Sequence, residues 1–390
     1  MTDDLDPIAH AQALIRCPSV TPEQAGALDY MEARLGAAGF ACRRLRFGGG
    51  GTPEIDNLYA RIGEGSPHLC FAGHIDVVPP GDEASWTAAP FGAEIRGGVL
   101  YGRGAVDMKG AVAAMMAAAL RYLGERGGHP NGTISFLMTA DEEGPATHGT
   151  RAVIEWMRGA GERPDHCLLG EPTHPDRMGE AIKIGRRGSL SGRLSVRGVQ
   201  GHVAYPQRTR NPVTGLVAAM QRIIGEKLDG GSENFAPSNL EVTSIDTGNP
   251  AVNVVPAKVS AQFNIRFNDL HSAASLSERL RELVAETLAG RGLEHELSFE
   301  SNADAFLTRP GGWVDMLAEV SREVTGVMPV LSTDGGTSDA RFIKDICPVV
   351  EYGLVNETIH KVDERTPVAD LEMLTEIYRR FLARYFAQGQ

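Results

Sequence analysis

TISFLMTA, residues 133–140, runs apolar from end to end with only small hydroxyl side chains between the large ones. A strand with one wet face alternates apolar and polar residues. A strand covered by helices on both faces of a parallel sheet does not, and this segment has the second pattern. The neighbouring segments agree. Upstream, Asp107 to about Arg126 predicts a long Ala-rich helix. Downstream, a helix near 149–159 leads to the strand HCLLG at 166–170. Further out lie strands near 41–47, 57–62 and 68–75 and a helix over roughly 22–37. A first helix is capped by Asp6, has Pro7 at its first position and ends before Pro18. Strands alternating with helices predict the α/β class, with a mostly parallel sheet flanked by helices.

Near residue 182 the texture changes. SLSGRLSVRG alternates in strand fashion, and NPVTGLVAAMQRIIGEKL is a helix with Asn211 as cap and Pro212 next. The strands NLEVTSIDTG and NVVPAKVSAQFNIRFND, a helix near 273–290 and EHELSFES follow. The order β-α-β-β-α-β is ferredoxin-like. It predicts an α+β domain at 182–301 inserted into a catalytic domain made of 1–181 and 302–390. The last segment returns to helix (312–325), strand (347–352) and helix (370–387), which completes the α/β domain.

The chain has 390 residues, 42% hydrophobic and 23% charged, as in ordinary globular proteins. A formal charge of −12 without a long basic run argues against nucleic-acid binding. The longest apolar stretch, AVAAMMAAAL, is too short to span a bilayer, so no membrane partner is expected. Five dispersed cysteines without a CxxC pair, and an acidic start lacking an apolar leader, point to a reducing cytoplasm.

In open α/β sheets, chemistry collects at the carboxyl ends of strands. FAGHIDVVPPGD (71–82) puts His74 and Asp76 at such an end, DEEG puts Asp141, Glu142 and Glu143 at another, and Glu171 follows HCLLG. Asp107 opens the Ala-rich segment, and His360 lies in the loop after CPVVEYG. Histidine nitrogens among carboxylates form the N/O donor set that suits zinc. Each residue alone is weak evidence, because a lone strand-end His is more often a hydrogen-bonded loop residue and DEEG is usually a solvated turn. GRGAVDMKG is not a dinucleotide loop, since Asp107 stands where the last Gly is needed, and GTSDA lacks the final Gly of a nucleophile elbow.

Taken in order, GHIDVVPPGD, YGRGAVDMKG, DEEG, GEPT, GVQGHVAYP, GGTSDARF and IHKVDE resemble the dinuclear zinc aminoacylase and carboxypeptidase family over nearly the whole chain. The resemblance implies a zinc-peptidase-like catalytic domain, amide hydrolysis, two zinc ions (the second site also accepting cobalt) and a homodimer formed through the inserted domain. His74 and Glu171 would hold one metal, Glu143 and His360 the other, and Asp107 would bridge them, with a cis peptide bond following Asp107. Asp76 would orient the His74 imidazole, Glu142 would be the general base and acid, and His202 would steady the oxyanion in the partner's site. GRRGS, GHVAYP and GGTSD resemble a biosynthetic branch whose small substrate carries several carboxylates. Arg186 and Arg266, with Tyr205, Asn253 and Thr337, would bind it, and Arg187 competes with Arg186 for that role. Ala340, Thr209 and His148 depart from the family pattern, and none is a metal ligand. The nearest alternative is an acetylornithine deacetylase or other aminoacylase. A non-catalytic ligand-binding protein on this fold is the alternative from another class, although here base and ligands are all retained.

Overall fold

The computed structural model describes residues 5–387. Thr133–Thr139 is buried along its whole length. It pairs in parallel with His68–His74, placing Thr139 opposite His74. His166–Leu169 pairs in parallel on the other side of that strand, and Val349–Glu351 extends the parallel centre. Antiparallel pairs flank it. Ala41–Gly49 and Thr52–Gly63 form a hairpin joined antiparallel to Thr133–Thr139. Ala181–Lys183 meets Val349–Glu351 antiparallel and Val330–Ser332 in parallel. The sheet is therefore mixed, with its parallel strands where apolar runs lack alternation.

Lys109–Glu125 packs against His68–His74 and against the helices Pro7–Ile15 and Val368–Tyr385. It is buried on nearly every side. A helix enclosed all round carries no polar stripe, and alanines let its neighbours approach closely. Gly73 serves the same packing: a Cβ there would lie 2.5 Å from Met108 Cε. Two boundaries differ from the sequence reading. The second helix is Ala27–Ala37, because Ala25 and Gly26 are left-handed (φ 46° and 89°) and form a turn before it. Asp107 lies in the turn before Lys109 rather than in the helix, and the Asp107–Met108 peptide is cis.

The chain divides into two units. One runs to Ile184 and resumes at Thr308–Ser332 and from Ser338 onward; the other is Gly185–Leu307 with Thr333–Thr337. Sequence alone leaves the latter segment in the catalytic part. It groups with the inserted unit because Arg186 Nη1 donates to the carbonyls of Gly336 (3.1 Å) and Asp334 (3.4 Å), and Thr333 Oγ1 to that of Asn234 (2.5 Å). The inserted unit has an antiparallel sheet in the order Asn239–Asp246, Lys258–Phe267, Gly188–Arg197, Glu294–Ala303. Pro212–Ile224 and Ala273–Leu288 cover one face, burying Leu190, Phe263, Phe267 and Leu280. No described helix is long and apolar enough to cross a membrane.

Candidate metal centre

The carboxyl ends of the central strands bring the cluster together. His74 ends its own strand, the Asp141–Glu143 turn follows Thr133–Thr139, and Glu171 follows His166–Leu169. Among the described residues three triads offer one N or O atom each within 4.8 Å of one another: His74, Asp107 and Glu171; Asp107, Glu143 and His360; and His74, Glu142 and Glu143. Asp107 is shared by the first two. Its Oδ1 lies 3.1 Å from His74 Nε2 and its Oδ2 3.2 Å from His360 Nε2, so the two carboxylate oxygens face opposite partners. Glu143 Oε1 is 2.9 Å from His360 Nε2.

The imidazole of His74 is oriented differently from expectation. Its Nδ1 lies 2.8 Å from the Asp76 carbonyl, whereas the Asp76 carboxylate stands 3.7 Å away. A carbonyl can only accept, so Nδ1 carries a proton, and Nε2, which donates to Asp107 here, faces Asp107 and Glu171, where a bound cation would take its lone pair instead. The Asp76 carboxylate instead accepts from the N–H groups of Glu142 (3.3 Å) and Glu143 (3.1 Å) and thereby aims the acidic turn.

These residues fit a pair of divalent cations. Glu171 Oε1 is buried without a hydrogen-bond partner, which is costly unless something else satisfies it. The charge balance agrees. Burial pushes the Glu171 carboxyl well up, reinforced by Asp107 and Glu142. Burial and then Asp339 do the same to Glu142, and burial lifts Asp76 to about 6. Burial alone would raise Asp107, but hydrogen bonds from His360 and His74 hold it low. Hydrogen bonds from His360 to Asp107 and Glu143 raise the imidazole to about 10. Crowded carboxylates thus draw protons onto themselves and their histidines, compensation that bound cations would replace.

Glu364 and Arg103, which motif reading does not single out, form a buried pair beside Asp107 (2.7 Å). Their partners are backbone groups, so only the acidic end of IHKVDE hints at them. His148 is held in its loop: Nε2 lies 2.7 Å from Thr52 Oγ1, and its N–H donates to Asp141 Oδ2 (3.0 Å).

The remaining predicted residues belong to the inserted unit. His202 is exposed on a two-residue strand opposite Val254. Its Nδ1 accepts from Ala204 N–H (3.1 Å), which leaves Nε2 as the donor. Tyr205 stands beside it with ring centroids 5.8 Å apart, and the Asn253 carbonyl accepts from Val203 N–H (3.1 Å). Arg266 is half-buried opposite Ser189, its pKa lowered by burial and by the charge of Arg187. Arg187 Nη1 donates to Asn239 Oδ1 (3.0 Å). Arg186 is buried and bound to the loop that contains Thr337.

A mixed sheet with an acidic, histidine-bearing cluster at its strand ends is the arrangement expected of a metal-dependent hydrolase. The sequence profile of peptidase family M20/M25/M40 matches residues 70–384, and the chain belongs to that family. It is 57% identical, over 98% of this chain and 99% of the other, to a succinyl-diaminopimelate desuccinylase of Methylorubrum populi. It is 56% identical, over 98% of each chain, to one of Rhodopseudomonas palustris. Among solved structures it is similar to aminopeptidase PepT of Bacillus cereus (TM-score 0.78, 20% identity, 98% of both chains covered).

Proposed function

We propose that the protein hydrolyses the amide bond of N-succinyl-L,L-2,6-diaminopimelate, releasing succinate and L,L-diaminopimelate in the cytoplasmic synthesis of lysine. The observation that carries this is 57% identity, end to end, to a relative named for that activity. The chain retains His74, Asp107, Glu143, Glu171, His360 and Glu142 in a single cluster. In this reading zinc would fill both positions, and the second would also accept cobalt. His74 and Glu171 would hold one ion and Glu143 and His360 the other, with Asp107 available to both. Such ions supply Lewis acidity and lower the pKa of water.

Glu142 takes a proton from the attacking water and passes it to the departing amine nitrogen. Burial and then the charge of Asp339 raise its pKa, which favours taking up that proton. Asp76, through two N–H bonds, keeps the Glu142 carboxylate beside the ligand Glu143. His202 offers Nε2–H to the developing oxyanion. Arg266 binds a substrate carboxylate, which would relieve its repulsion with Arg187. Arg186 positions Thr337 through the loop it holds, and Tyr205 and Asn253 flank His202. The chain works as a homodimer joined through the inserted unit.

Chelation should abolish turnover and added zinc should restore it. Given both compounds side by side, the enzyme should cleave succinyl-diaminopimelate in strong preference to acetylornithine. Full activity of metal-free protein, or a preference for acetylornithine, would refute the assignment.

A further inference from the structure

Five segments carry the cluster's ligands, and one buried ion pair is bound to three of them. Glu364 is fully buried and accepts four hydrogen bonds. Its Oε1 takes the N–H groups of Val106 (2.8 Å) and Asp107 (3.0 Å). Its Oε2 takes Gly104 N–H (3.0 Å) and Arg103 Nη1 (2.7 Å). Arg103, also buried, donates onward to the carbonyls of Lys361 (3.3 Å) and Pro79 (3.4 Å). Lys361 follows His360, and Pro79 lies on the segment that leaves His74 and Asp76. Trp86 closes this arrangement, with the guanidinium 5.2 Å from its ring centroid.

The turn holding His360 needs such an anchor. His360 and Asp363 both have φ of 58°, a left-handed conformation that non-glycine residues adopt only when their surroundings impose it. Asp363 Oδ1 accepts from Thr87 N–H (2.7 Å), and the next residue, Glu364, ties the turn to Val106 and Asp107. Isolated buried charges are costly, and a pair is tolerated where its remaining hydrogen-bonding capacity is used. Here most of Glu364's accepting capacity goes to backbone N–H groups beside the ligands, although Arg103 Nε stays without a partner.

We propose that Glu364, braced by Arg103, is a positioning residue that sets the spacing of Asp107 and His360. It thereby determines the affinity of the metal position shared by Asp107, Glu143 and His360. The position of His74 and Glu171 shares only Asp107 with it and depends on Glu364 less. This inference rests on the metal-centre reading.

The test compares Glu364→Gln with wild type. An amide keeps one oxygen, so in either orientation two of the four bonds become donor against donor. Zinc-loaded full-length proteins are dialysed against graded concentrations of a competing chelator, and retained zinc is measured by atomic emission. Wild type should lose zinc in two steps. One of the variant's two equivalents should be lost at about 10–100-fold lower chelator strength, in the range seen when groups that orient ligands are removed. The other should move much less. A general loss of structure would weaken both equivalents together, and that result overturns the proposal, as does a variant in which neither equivalent moves. If Glu364→Gln does not fold, Glu364→Asp decides by the same measurement. Failure of both to fold makes the residue a requirement for folding and overturns the positioning role. A wild type that retains no zinc would sink the metal-centre reading itself, and this inference with it.

Discussion

At the scale of single residues, Glu142 carries the sharpest consequence. It shares a turn with Glu143, yet the two carboxylates differ: Glu143 lies against His360, while Glu142 has burial and Asp339 driving its pKa upward. A carboxyl whose pKa is pushed upward in this way suits a group that must both take and give a proton. Glu142→Gln should lower kcat by about 10²–10⁴-fold while metal analysis still finds two equivalents. Near-normal kcat in that variant would place the base elsewhere. The proposed ligands are readable from sequence because each sits in a short motif at a strand end or element start, where local pattern and chemistry coincide. Glu364 is not readable in that way. Its partners lie 257 to 261 positions away and are mostly backbone N–H groups, which carry no side-chain signature. The orientation of His74 was hidden for a related reason: Asp76 holds it with a carbonyl that any residue would supply.

At the scale of elements, long segments with one clear period are legible, and short ones are not. Lys109–Glu125 and Thr133–Thr139 announce themselves by composition. Ala181–Lys183 and Val330–Ser332 have three residues each, too few for any periodicity, and gain strand form only from their neighbours. Two histidines at element junctions make acid stability a test of this packing. His68 opens the central strand with Nε2 2.8 Å from Ser135 Oγ, and burial followed by the charge of Arg61 lowers its pKa to about 4. His174 is likewise lowered to about 4, chiefly by burial, and its Nδ1 accepts from Ala181 N–H (3.2 Å), which requires the neutral ring. Unfolded histidines titrate near 6.5. Between there and pH 4 the unfolded chain therefore binds more protons than the folded one. Stability is full above about pH 6.5 and falls as pH drops toward 4, by roughly 2–3 kcal/mol for each histidine at pH 4.5. His174→Asn keeps an acceptor near Nδ1 but cannot titrate. Denaturant unfolding at pH 7 and 4.5 should show it losing less stability than wild type by about that amount. An equal loss would remove His174 from the account.

At the scale of the whole molecule, the predicted residues divide cleanly. All the metal-cluster residues lie in one unit and His202, Tyr205, Asn253 and Arg266 in the other. The inserted unit also concentrates exposed apolar side chains: Val252 is 99% exposed, and Val217, Ile224 and Ile245 are each more than half exposed. Ile245 lies on the edge strand Asn239–Asp246, and open edges invite pairing with another chain. A symmetric dimer through this unit is the simplest way to cover them. In the proposed dimer, His202 serves the partner's cluster, so each active site is assembled from two chains. Glu142→Ala and His202→Ala homodimers should then both be nearly inactive. Co-expression makes a mixed dimer in which one site has both lesions and the other has neither. With random pairing half the dimers are mixed and each has one sound site of two, so roughly a quarter of wild-type activity should return. Differently tagged chains, purified through both tags in succession, isolate the mixed species and should recover about half the wild-type activity per dimer. If His202 acts within its own chain, each site of the mixed dimer carries one lesion. The doubly tagged species would then be as inactive as its parents, and the shared-site arrangement would be wrong.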